Sequence, residues 1–260
     1  MKRLLIRADD LGYSEGINCG IAAAVRAGLV RSVGVMTNMP EAARGLDLLA
    51  RATEDALCLG QHTNICTGRP LTDPALIPSI CTPEGAFKPS SAYRDACRRG
   101  EDFVVLDEVI VEIEAQYEAF KALTGQEPHY FEGHAVASDT FFRGLKIVSD
   151  RHGLAYFPMG APGESVTFRG TTVWAYLPRD FAAYEADPFS AVRDAVATAH
   201  DGENTCDLMV FHPGFIDAYL LDTSSMTTPR VREAAMLCDP DVRSWLANQD
   251  IELVTYDDLA

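Results

Sequence analysis

The sequence predicts an α/β domain of barrel type, from two observations. Short apolar runs alternate with helical periodicities through about 250 residues of repeated βα units. No stretch has the composition of a linker and no internal repeat is present, which favours one barrel-like domain over 1–260 rather than an open sheet.

Lys2 to Ile6 is an apolar strand. Ser14 is a helix N-cap, and Ile17, Ile21, Ala24 and Val25 share one face of a helix that ends near Gly28. Val33 to Met36 is a second strand, Glu41 to Ala52 a helix and Leu57 to Gln61 a third strand. From about 63 to 91 the chain carries Pro70, Pro74, Pro78, Pro83 and Pro89 without periodicity, a loop of the length used for lids and binding elements. Asp102 to Leu123 is the strongest helix, with Leu106, Val109, Ile110, Ile113, Tyr117 and Phe120 in register and Gly125 as its stop. Tyr130 and Phe131 lead into a strand ending at Gly133 and His134. Phe141 to Asp150 is a helix and Ala155 to Phe157 a strand. Met159 to Asp187, rich in Gly, Pro and aromatic residues, has no clear pattern. Helices are expected at Phe189 to Ala199, Val231 to Leu237 and Val242 to Asn248, and strands at Asp207 to Phe211 and Ile251 to Val254.

Composition narrows the function. Twenty-two Lys and Arg against 38 Asp and Glu give a formal charge of −16, a field that repels nucleic acid and anionic lipid. The start MKRLLIRADD has too short an apolar run for an export signal, and no run reaches the length of a membrane span. Seven cysteines, an odd number without a Cys-x-x-Cys pair, suit neither a disulfide framework nor a zinc ribbon and point to a reducing cytoplasm. Homo-oligomerisation is the general expectation for a soluble enzyme.

Four polar clusters follow directly on apolar strands: Asp9 with Asp10, His62, His134 and His212. In a parallel α/β barrel the strand C-termini open on one face, so these groups are expected to converge there. A carboxylate with two imidazoles makes a three-ligand site of the kind catalytic Zn²⁺ or a related divalent ion uses, leaving room for water and substrate.

These residues carry a resemblance. RADDLGYSEGINCGI (7–21), TNMP (37–40), GQHTNI (60–65) with Gly68-Arg69-Pro70, EGH (132–134) and FHPG (211–214) resemble the YdjC-like carbohydrate deacetylases, a family that includes chitooligosaccharide deacetylases and the hopanoid-associated HpnK group. The similarity runs in order through Arg232-Glu233 to Ile251–Tyr256. It implies an α/β fold, a single-domain distorted (β/α) barrel of the polysaccharide-deacetylase type. It also implies metal-dependent hydrolysis of the acetamide of an N-acetylated sugar, such as an N-acetylglucosamine oligosaccharide. Matched residue by residue, it makes Asp10, His62 and His134 ligands of one divalent ion, Zn²⁺ or Mg²⁺. Asp9 becomes the base that activates a metal-bound water, and His212 the acid.

The chain departs from the family where DGHQHVH is usual and Glu132-Gly133-His134-Ala135-Val136-Ala137 stands instead, which bears on ligand orientation and substrate identity. In the loop, Asn64 and Arg69 are candidate substrate contacts and Tyr93 a further one. Trp174, Tyr176 and Phe181 suit either a sugar platform or core packing. Two other readings stand beside the first: a metal hydrolase of an ester or phosphoester, and a non-catalytic sugar- or metal-binding protein on the same scaffold. Retention of Asp9 separates the last of these, because metal binding alone does not require it.

Overall fold

The computed structural model describes residues 2–158, 160 and 163–259. The first half of the chain forms β1 (Lys2–Leu11), α1 (Glu15–Ala27), β2 (Ser32–Val35), α2 (Ala42–Ala52), β3 (Cys58–Thr63), α3 (Ser90–Arg98), α4 (Leu106–Thr124), β4 (Phe131–Gly133) and α5 (Asp139–His152). There follow β5 (Ser165–Phe168), β6 (Thr171–Ala175), α6 (Phe181–Ala186), α7 (Pro188–Thr198), β7 (Thr205–Phe211), α8 (Ala218–Thr223), α9 (Thr228–Leu237), α10 (Pro240–Ala247) and β8 (Ile251–Val254). No described helix is long and apolar enough to cross a membrane. The chain packs as two compact units, Met1–Gly34 with Glu41–Leu59 and Gly160–Ala260, and Val35–Pro40 with Gly60–Met159.

In the first unit β1 pairs in parallel with β7 and with β8, β7 pairs in parallel with β6, and β6 pairs antiparallel with β5. Leu4, Leu5, Ile6 and Ala8 of β1 are buried, as strands covered on both faces require. α1 follows the expected stripe, with Ile17, Ile21, Ala24 and Val25 buried, Ser14 Oγ accepting the Ile17 N–H and Gly28 closing the C-terminus. The hairpin β5–β6 lies in the segment without a clear pattern, whose first residue, Met159, is outside the described residues. Arg169 and Gly170 both have positive φ, 48° and 87°, the backbone a two-residue type I′ turn needs. Trp174 stacks on His200 at 4.3 Å and Tyr176 donates to Asp194, so both are engaged in packing, whereas Phe181 is exposed.

In the second unit β3 and β4 pair in parallel, with His62 opposite Glu132. The strand expected at Ala155 to Phe157 is a parallel bridge of Tyr156 to Phe131, in which Phe131 N donates to Ala155 O and Phe157 N to Phe131 O. Val109, Ile110, Ile113 and Tyr117 of α4 pack with Phe141, Leu145 and Val148 of α5 around Phe131. α4 starts at Leu106 rather than Asp102, because the Asp102 carboxylate accepts from Val104 N, Ser138 Oγ and Thr140 N instead of entering the helix.

The long loop is ordered by two buried polar residues of α4. Glu112 accepts the Leu71 and Thr72 N–H groups, and Gln116 both donates to Asn64 O at 2.6 Å and accepts from Asn64 N at 3.0 Å. Burial pushes the Glu112 carboxyl above its ordinary range.

Candidate functional site

The first unit supplies Asp9, Asp10 and His212. Ala8 pairs with Phe211, so the parallel register of β1 and β7 delivers the two aspartates and His212 at the same end of the two strands. β1 extends further than the sequence predicts and includes both aspartates; Asp10 has a φ of 78°, a conformation Asp tolerates better than most residues. Asp9 and Asp10 are buried, and His212 is half-buried. Strand alternation places Arg7 on the same face as Asp9, and its guanidinium donates to Asp9 Oδ2 at 2.7 Å and to Tyr256 Oη at 2.8 Å. Asp9 Oδ1 is buried with no hydrogen-bond partner among the described residues. Asp10 Oδ2 accepts from Arg230 Nη2 at 2.7 Å.

Glu233 lies behind His212, accepting the His212 backbone N–H and the Tyr184 hydroxyl. Burial pushes its carboxyl up to about 7. Because this value lies above that of an unfolded chain, about 4.3, the proton-bound form stabilises the fold below that lower value. The contribution, about 3 kcal/mol, is lost as pH rises toward the folded value. Glu233→Gln cannot ionise. Urea unfolding at pH 4.5 and pH 8 should therefore find the stability difference between variant and wild type shifted toward the variant at pH 8 by up to that amount. An unchanged difference would refute the shift.

The second unit supplies His62 and His134. His62 is the penultimate residue of β3 and His134 follows β4, its N–H bonded to Thr63 O at 2.8 Å. The Glu132 carboxylate faces His62 Nδ1, which sets the proton on that nitrogen and turns Nε2 into a lone-pair donor. His62 Nε2 and His134 Nδ1 face one another at 2.9 Å. Two imidazole nitrogens so placed share one proton or ligate one cation, and a carboxylate on the far nitrogen is the usual support of a ligating histidine. Imidazole and carboxylate donors suit Zn²⁺ and related divalent ions, so the residues fit such an ion.

The departure in the third motif now has a physical content. Glu132 orients the His62 ring, while Val136 is buried in the hydrophobic core of the second unit. The substrate contact expected of Asn64 needs correction. Its Nδ2 donates to Asn38 Oδ1 and Thr67 O, and its Oδ1 accepts from Cys66 N and Thr67 N, so the amide closes the loop and has no group left for a sugar. Tyr93 is also withdrawn, buried with its hydroxyl on Ile65 O. Arg69 is exposed, with one long bond to Gly85 O.

Sequence reasoning passed over Arg7, Arg230 and Tyr256. The Arg7-x-Asp9 spacing on a strand and the Arg230-x-x-Glu233 spacing on a helix were the available signals, each placing two charged groups on one face.

The family model described as YdjC-like protein matches residues 3–248. The chain belongs to the YdjC-like family. Among relatives of this YdjC-like protein, carbohydrate deacetylase 2 of Listeria innocua is 26% identical, covering 99% of this chain and 98% of its own. The carbohydrate deacetylase of Geobacillus stearothermophilus is 29% identical over 97% of this chain and 96% of its own. The chitooligosaccharide deacetylase of Yersinia pestis is 27% identical over 98% of each chain. Among solved structures, a candidate cellobiose-phosphate cleavage protein from Enterococcus faecalis superposes with a TM-score of 0.79 at 22% identity, covering 100% of this chain and 99% of its own. The T48 deacetylase, solved with substrate, gives 0.50 at 14% identity over 98% of this chain and 89% of its own. These likenesses bear out the α/β fold of the polysaccharide-deacetylase type. A mutant of a CE4 family pseudoenzyme also superposes at 0.50, covering 99% of this chain and 67% of its own, so the fold does not decide activity and the residues must.

Proposed function

We propose that this YdjC-like protein is a metal-dependent carbohydrate deacetylase that hydrolyses the acetamide of an N-acetylated sugar, such as an N-acetylglucosamine oligosaccharide. The names of its relatives support the substrate class. One observation carries the metal dependence: His62 Nε2 and His134 Nδ1 face one another at 2.9 Å with Glu132 behind His62. Asp10, His62 and His134 form the proposed donor set, for Zn²⁺ or Mg²⁺. Such an ion, when bound, supplies Lewis acidity at the acetamide carbonyl and lowers the pKa of water.

The chain's own groups complete the reaction. Arg7 holds Asp9 through Oδ2, and Oδ1 takes a proton from the attacking water as its oxygen bonds to the carbonyl carbon. When the C–N bond breaks, protonated His212 donates to the departing amine, giving acetate and the free amino sugar. Arg69, on the exposed loop, is the remaining proposed sugar contact. A net charge of −16 favours a neutral substrate of this kind over a phosphorylated one. Seven cysteines, all free, support a reducing compartment, the cytoplasm.

Acetate release from N,N′-diacetylchitobiose and longer oligomers provides the test. Chelated protein should lose at least about 99% of turnover, and Zn²⁺, Mg²⁺ or Co²⁺ should restore it. A folded protein that releases no acetate with any ion, yet binds the oligosaccharide, would make it a binding protein.

A further inference from the structure

The first turns of α9 grip the segment after β7 from both sides. Arg230 Nη1 donates to His212 O at 3.5 Å, Arg230 O accepts from Gly214 N at 3.1 Å, and Glu233, one turn on, accepts the His212 N–H. The same guanidinium donates to Asp10 Oδ2 at 2.7 Å and, through Nε, to Met226 O at 3.0 Å. Its side chain is 5% exposed and that of Asp10 is fully buried. One planar cation therefore joins a carboxylate on β1 to the peptide of His212, 202 residues away in the sequence.

We propose that Arg230 is a positioning residue that couples Asp10 to His212. By occupying Asp10 Oδ2 it orients the other carboxylate oxygen as the metal donor, and by holding the His212 carbonyl it sets where the imidazole lies. The proposal rests on the deacetylase reading, in which Asp10 is a ligand and His212 the acid. The geometry explains the residue type: three acceptors in different directions need the rigid guanidinium fork, and the ammonium of a lysine is a single point charge. A merely structural ion pair would be satisfied by any buried cation reaching Asp10.

Arg230→Lys keeps the charge and loses the fork. For this variant, Zn²⁺ affinity measured by chelator competition should weaken about tenfold, the lower end of what supporting groups contribute. In acetate release kcat should fall about 100-fold with KM within about threefold, since a small displacement of a catalytic group has that effect. In Arg230→Ala, added guanidinium at a non-denaturing concentration should recover part of both the affinity and kcat, without raising the melting temperature. Arg230→Lys with wild-type affinity and turnover would overturn the proposal, as would a loss that follows only the unfolded fraction. If Arg230→Ala does not fold, the lysine variant decides alone. A wild-type protein that neither binds a divalent ion nor releases acetate would overturn the functional reading, and this inference with it.

Discussion

Asp9→Asn should lower kcat for acetate release about 1,000-fold, or about 4 kcal/mol of transition-state stabilisation, within the usual range for a positioned general base. The carboxylate is buried, with one oxygen held by Arg7 at 2.7 Å and the other without a hydrogen-bond partner among the described residues. Arginine cannot surrender its proton at any working pH, so Oδ2 stays occupied and Oδ1 is the oxygen able to accept one. Asparagine keeps the shape, and its carbonyl oxygen can still accept from Arg7, but the amide then facing the water has no basic lone pair. The bound metal, measured by elemental analysis, should be unchanged, because the proposed ligands are Asp10, His62 and His134. The melting temperature should fall, since a buried guanidinium loses its counter-charge. Full turnover by a metal-loaded Asp9→Asn protein would sink the mechanism and return weight to a metal site that works without a protein base.

Gly20→Ala should be among the most damaging single-methyl changes in the chain. A Cβ at that position would lie well inside contact distance of Gly214 Cα, 2.7 Å from Gly214 N and 2.9 Å from Gly214 C. These are backbone atoms two residues beyond His212, and they cannot turn aside as a side chain would. Gly16, one turn earlier, meets Phe215 in the same way, and Phe215 N donates to Gly16 O at 2.9 Å. The two glycines thus make a flat track on α1 along which the His-Pro-Gly segment runs. Overpacking there should destabilise by about 3 kcal/mol, the upper part of the usual range. At roughly 2 to 4 °C per kcal/mol, the melting temperature should drop by about 10 °C. Displacing His212 by about 1 Å should also lower kcat about 100-fold in the folded fraction. Gly153→Ala provides the comparison, because nothing lies within 4 Å of its Cβ position and only the left-handed φ of 66° opposes it, at about 1 kcal/mol. Equal melting temperatures for the two variants would show that the track yields and that His212 is not seated by α1.

How much of this was legible in the sequence depended on how local the signal was. Ser14, the Ile17–Ile21–Val25 stripe and Gly28 define α1 because capping and helical periodicity act within a few residues of each other. α4 was legible for the same reason, apart from its first turn, where Asp102 bonds to residues 36 and 38 positions away. The helices α6 and α8 escaped notice because six residues carry too little periodicity to stand out, and α3 because it begins inside the proline-rich segment. The hairpin of β5 and β6 escaped because its turn uses Arg169 at positive φ, which the identity of the residue does not announce.

For the candidate site, the sequence by itself determined which residues could do chemistry: Asp9, Asp10, His62, His134 and His212, each at the end of an apolar run. Only the tertiary structure decided what supports them. Arg7 finds Tyr256 across 249 residues and Asp10 finds Arg230 across 220. Glu132 reaches His62 across 70, and Asn64 turns inward to Gln116 across 52. The physical reason is that backbone geometry repeats over a few residues and leaves its period in the sequence, whereas the partner of a buried charge is chosen by strand register and helix packing, which no local period records.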